Sequence, residues 1–414
     1  MSETNRQSLV LGEPFRVFFP TGMVLGIMSV MLWPLYELGW LHLYPSVMHA
    51  RILILGYIGL FVLGFLGTAF PRLLGVKGMN GPEFVVCSLL VILSQGAYLS
   101  NHIGFGDVTS LVLWTLVIAA ALFRIGQRSD MPPPSFILAA GALLSLWISL
   151  GLNAYADLFT ELGYRGVVLS RTLMYEAFPT LIILGVAPYF FPKILGGPNR
   201  YEFDVSRIPS KAWLKLAGTA SVATILALFG FVWKTQDQQL GTIIVSAVLF
   251  AYIFIEIPLF PHSASAKGSM ALGLLLGISG IFIGTLSPAL FPQFRIGVFH
   301  ILTLCGVSVI LTIVSIRVIH GHAGRVSLTF GWKKRVLVLP LLLIVAGLTR
   351  LSADALPKTH SSHLVYASLI FLISGVIWLW LCGAHLLREE QPTTSSSEVA
   401  SEPNHQEEEP SPTP

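Results

Sequence analysis

The chain has 414 residues, 54% of them hydrophobic and 11% charged, and its mean hydropathy is +0.75. A soluble domain carries about 25% charged residues, so this composition excludes a water-covered globular protein and indicates a polytopic membrane protein. The formal net charge of +4 identifies no partner, because the charges are unevenly placed, and no nucleic-acid partner is expected.

The opening MSETNRQSLV lacks the basic-then-apolar order of a signal peptide, so the first helix is expected to be retained. A spanning helix needs about 20 apolar residues, and twelve such segments follow in order, near 18–40, 47–70, 83–101, 107–126, 134–155, 167–192, 211–233, 239–258, 267–290, 295–319, 334–355 and 361–387. The expected fold is all-α, a membrane bundle of about twelve helices over residues 1–388. The tail from residue 389 is acidic, rich in Ser and Pro and nearly free of apolar residues, so disorder is expected there. Cys87, Cys305 and Cys382 lie in apolar runs outside any C-x-x-C or C-x-x-C-H pattern, which reads as three buried hydrophobes and no c-type haem attachment.

Alternating the loops sorts the positive charges. Of the 25 Lys and Arg residues, 18 fall on one side, and Arg165, Lys234, Arg295, Arg350 and Lys358 on the other. Arg51 and Arg171 lie within segments. The positive-inside bias makes both termini cytoplasmic. Within the sixth segment, Glu176 is expected to pair with the nearby Arg171.

That orientation puts His42, His49, His102, His300, His360 and His363 near outer helix ends, and His262, His320, His322 and His385 at inner ends. A lone interfacial histidine is ordinarily an amphipathic cap. His49 and His300 form a more informative pair. Both open segments that run outside to inside, His49 standing 23 residues before Arg72 and His300 22 before His322. At a rise of about 1.5 Å per residue, the two imidazoles lie at similar depth. The second segment also carries Gly56, Gly59, Gly64 and Gly67, which would admit either another helix or a flat macrocycle. AFPRLLG at the end of the second segment is echoed by FFPKILG at the end of the sixth, a hint of three sets of four helices.

Three stretches resemble the NnrS family, haem- and copper-containing bacterial membrane proteins tied to the nitric oxide response. They are PFRVFF from Pro14, MHARILILGYIGLFVLGFLGTAFPRLLG from Met48, and FHILTLCGVSVILTIVSIRVIHGHAGR from Phe299. Together they cover under a fifth of the chain. The positions that match the family's motifs are His49, His300, His322 and Arg325. Arg51 stands where the family usually has a second histidine, Ile52 replaces its glutamate, and Val186 stands near a family arginine. The helix count is also similar to haem–copper oxidase subunit I, where helices 2 and 10 supply the axial histidines of a low-spin haem. That oxidase's copper site needs histidines on helices 6 and 7. This chain has none between His102 and His262, which argues against oxygen reduction by that route.

The resemblance implies a non-covalent b-type haem held by His49 and His300 in a bacterial inner membrane. It also implies a role in nitric oxide response or related redox chemistry, whether as enzyme or as sensor. Haem propionates need cations at the outer surface, and Arg350 and Arg51 are the candidates. His360 and His363, at i and i+3 on one helical face, are the candidate clamp for copper. Expected partners are lipid, nitric oxide and an electron-donor protein or quinol. His320, His322 and Arg325 read as a helix end or as contacts to anionic headgroups. Two other readings stay open. One is a twelve-helix transporter of the major-facilitator type, though RLLGVKGMNGPE lacks that family's loop signature; the other is a quinol-linked electron carrier with no nitric oxide role.

Overall fold

A computed structural model describes residues 12–158, 162–260 and 267–388. The acidic tail, His262 and His405 lie outside the described residues. Among the described residues, twelve helices are long and apolar enough to cross a membrane: α1 (Phe15–Glu37), α2 (Ser46–Leu73), α3 (Gly81–Leu99), α4 (Ile103–Gln127), α5 (Phe136–Leu158), α6 (Tyr164–Leu195), α7 (Lys211–Trp233), α8 (Gln238–Glu256), α9 (Ser269–Leu290), α10 (Pro292–His322), α11 (Lys334–Ala355) and α12 (Pro357–Leu386). Each matches one expected segment. The largest shifts, four residues, are at the starts of α4 and α12. α1 starts three residues early because Pro14 stands at its N-cap with φ −53°, a backbone angle already suited to a helix.

The helices are arranged as three sets of four. Within each set the first packs on the second and the third on the fourth, and the sets join through α4 on α5, α8 on α9 and α12 on α1. The second helix of each set is the inner one. The most apolar windows of α2, α6 and α10 are 78%, 78% and 72% buried, against at most 61% for any other helix. These same three helices share two further features. Each contains a π-helical stretch in its N-terminal half: Ile52–Ile58, Leu173–Ala177 and Ile301–Ser308. Each is followed by a left-handed glycine, Gly75, Gly196 and Gly324, with φ of 63°, 64° and 65°. A glycine with positive φ ends a helix at no steric cost, whereas a Cβ there would be strained.

The glycines of α2 serve helix packing. A Cβ on Gly56 would meet Gln95 of α3, one on Gly64 would meet Phe19 of α1, and one on Gly67 would meet Pro14 just ahead of α1. Of the two uses open to them, close approach of another helix is the one realised.

A bilayer interior makes an unpaired charge costly, and the charges buried in this bundle are paired. The Arg51 guanidinium grips Asp107 of α4 with two hydrogen bonds of 2.8 Å. Lys234 at the end of α7 lies 2.5 Å from Glu176. The expected Arg171–Glu176 pair is therefore replaced. Arg171 is exposed, while the π-helical turn at Leu173–Ala177 presents Glu176 to the neighbouring helix α7.

Candidate functional site

His49 and His300 stand near the N-terminal ends of the inner helices α2 and α10, just before their π-helical stretches. A π-helical turn rotates everything above it relative to the helix below, and such turns gather at functional sites. Both imidazoles are held in the same way. The Nδ1–H of His49 donates to the backbone oxygen of Ser29 on α1 at 3.1 Å, and the Ser29 hydroxyl donates back to the His49 carbonyl at 2.9 Å. The Nδ1–H of His300 donates to the Ile296 carbonyl at 2.8 Å. Each ring therefore keeps the tautomer that leaves Nε2 with its lone pair. This is the usual arrangement of a metal-ligating histidine, whose other ring nitrogen is fixed by a carbonyl or carboxylate. The two rings are within electrostatic reach of one another, and the Arg350 guanidinium is within reach of both.

Arg350 is held by Asp354 one turn further along α11. One Asp354 oxygen accepts from Arg350 Nη1 at 2.7 Å. The other accepts from the Gly297 backbone N–H at 2.6 Å, at the start of the turn that carries His300. Arg51 points elsewhere. Its donors are engaged by Asp107, by the Tyr175 hydroxyl at 2.5 Å and by Met174, so it fastens α2 to α4 and α6.

His360 and His363 stand near the N-terminal end of α12. His360 Nδ1 donates to the Ala353 carbonyl at 2.9 Å, and His363 Nδ1 lies 2.6 Å from the Ser352 hydroxyl. Both contacts are to the end of α11. Among the described residues no group of three or more His, Cys, Asp or Glu is arranged to hold a metal ion, so this pair has no third protein ligand from that set.

The C-terminal ends of α2 and α10 meet a second polar cluster. Glu13 accepts from Arg16 Nε at 2.7 Å, Arg72 Nη2 at 2.6 Å and His322 Nδ1 at 2.6 Å. Arg16 continues to the backbone oxygens of Leu386 and Arg388 at the end of α12. Burial alone would raise the Glu13 carboxyl. The hydrogen bond from His322, with Arg72 and Arg16 alongside, outweighs that and holds it at about 2. His322 thus ties the helix ends together by way of Glu13. Sequence reading missed Ser29, Asp107 and Asp354. Ser29 and Asp107 meet their partners across the bundle and stand in no recognisable pattern, whereas Asp354 stands one turn from Arg350 at an i,i+4 spacing that the sequence does display.

The fold and the placement of these histidines define a class: a twelve-helix membrane protein in three sets of four, with histidines heading two of its three inner helices. The chain belongs to the NnrS protein family, which it matches over residues 9–389, a stretch that includes all twelve helices. No curated protein matches it.

Proposed function

We propose that this chain is a haem-binding protein of the bacterial inner membrane acting in the nitric oxide response, with His49 and His300 as the axial ligands of one b-type haem near the outer face. The observation that carries the reading is the matched state of the two imidazoles. They head two inner helices, each has Nδ1 fixed by a backbone carbonyl so that Nε2 keeps its lone pair, and the two rings are within electrostatic reach of one another. Two nitrogen donors with an arginine beside them fit a haem and its propionates. Haem in such a site supplies electron transfer, or exchange of one axial ligand for a small molecule such as nitric oxide.

In this reading Arg350 meets a propionate, and Asp354 orients both Arg350 and the turn bearing His300. Ser29 orients His49. Arg51 holds α2 in place through Asp107 and has no propionate of its own. Electrons come from a donor protein or a quinol. Copper, the second metal implied by the family, has His360 and His363 as its outer-face candidates. In this reading both termini are cytoplasmic, which the bias of the positive charges supports.

The test is the haem content of purified protein. The wild type should carry haem released as haem b. His49→Ala and His300→Ala should each lose at least half of it, while His102→Ala keeps it in full. Colourless wild-type protein would return the chain to the transporter reading.

A further inference from the structure

α3 packs on α2 chiefly along Ser46–Ile58. Toward the C-terminal end of α2, a cavity of about 390 Å³ separates α2 from α3 and α4. Its walls are Leu63 and Leu66 of α2, Val86 and Cys87 of α3, and Leu116 and Val117 of α4. Packing seldom leaves a void much larger than a water molecule, and this one falls in the range of ligand sites, about 300–1,000 Å³. Val86 and Leu116 are exposed, so one wall faces the hydrocarbon. The rim at the C-terminal end of α4 is polar. There Glu83 and Arg124 pair at 2.5 Å. Arg124 Nε and Nη2 also donate to the carbonyls of Lys77 and Gly78 at 3.3 and 3.0 Å, which brings the Lys77 turn to the rim.

We propose that this cavity holds one acyl chain of a zwitterionic phospholipid with a primary ammonium head, of the phosphatidylethanolamine type. The rim offers both signs of charge. Lys77 is exposed and without a partner among the described residues, and suits the phosphate. Glu83 Oε2 accepts from Arg124 and from the Asn80 backbone N–H at 3.0 Å, while Oε1 has no partner among the described residues and suits the ammonium. A purely anionic head would meet the Glu83 carboxylate, and a quaternary ammonium has no N–H to donate to it. The lipid would wedge α3 and α4 against the inner helix α2 where their direct packing gives out.

The site is independent of the haem reading, and its test does not use haem. Delipidated full-length protein is titrated in detergent with phosphatidylethanolamine, phosphatidylglycerol or phosphatidylcholine of identical chains, and the first bound lipid is counted by native mass spectrometry. The wild type should prefer the ethanolamine lipid by about tenfold, the equivalent of one charge-assisted hydrogen bond. Leu63→Trp, which fills the cavity, should lose that first high-affinity lipid. Val86→Trp, at an exposed wall position that tolerates bulk, should do the same and covers the case in which Leu63→Trp misfolds. Glu83→Gln keeps a side chain able to cap Asn80 and leaves Arg124 unpaired, so its preference should move to phosphatidylglycerol. Equal binding of the three lipids by the wild type would overturn the proposal. So would an undiminished first site in both tryptophan variants, an unchanged preference in folded Glu83→Gln, or an isoprenoid quinol that copurifies at one per chain and is lost from the tryptophan variants.

Discussion

The buried charges show how much a single side chain can decide in this bundle. Arg51 and Asp107 form a two-bond pair with side chains only 8% and 1% exposed, and Tyr98 and Tyr175 complete their hydrogen bonding. Removing one partner leaves the other charge buried, at a cost of about 3–5 kcal/mol. Arg51→Ala or Asp107→Ala should therefore lower the unfolding midpoint sharply in detergent. Replacing both together by Met and Leu should recover most of the loss, as a double-mutant cycle would measure. Glu13 offers a pH signature. Its carboxyl is held at about 2 in the folded protein against an ordinary 4.5. A depressed carboxylate adds stability above its unfolded value and loses it as pH falls toward the folded value. Wild-type melting should therefore drop between pH 4.5 and about 2, and Glu13→Gln should be less stable at neutral pH with a flatter acid limb. Equal slopes for the two proteins would remove Glu13 from that role. The sequence made His322 and Arg72 visible as helix-end residues. Their convergence on Glu13 was hidden, because the contacts span 309 and 59 residues of chain.

The helices themselves were legible because hydrocarbon admits few alternatives. A spanning segment must satisfy its backbone internally, so length and apolarity suffice to place it. Composition alone does not reveal the π-helical stretches. They fall in uniformly apolar runs such as ILILGYI and ILTLCGVS, where no residue marks the extra turn. The echo between AFPRLLG and FFPKILG did carry information, since both end in the left-handed glycine that closes an inner helix. Small residues on α9 set how closely it approaches the π-helical stretch of α10. A Cβ on Gly280 would run into the backbone of Cys305, and one on Gly284 into the backbone of Leu302. Backbone cannot swing aside as a side chain can. Gly284→Ala should cost about 1–3 kcal/mol by overpacking and should loosen His300 two residues away from Leu302. Paired measurement of melting and haem content would show this, and an unaffected variant would mean that α9 has room to retreat.

At the scale of the molecule, the threefold repetition of inner helix, π-helical stretch and terminal glycine explains why two histidines 251 residues apart arrive at one end of the bundle. The equivalent region of α6, around Ser170 to Thr172, carries no histidine, so the repeated frame is used at two of its three positions. Orientation can be tested by reporter fusions. The loop near Arg200 should read cytoplasmic and the region near Asp157 periplasmic, whereas the opposite pattern would place the histidines on the inner face. The central claim, that His49 and His300 ligate one haem together, is tested most directly by near-infrared magnetic circular dichroism of the purified ferric protein. The wild type should give the charge-transfer band of low-spin haem with two imidazole ligands, and His49→Gly should lose that band and regain it when free imidazole is added. A wild-type band from any other ligand pair, or a His49→Gly protein with the band unchanged before imidazole, would contradict the assignment.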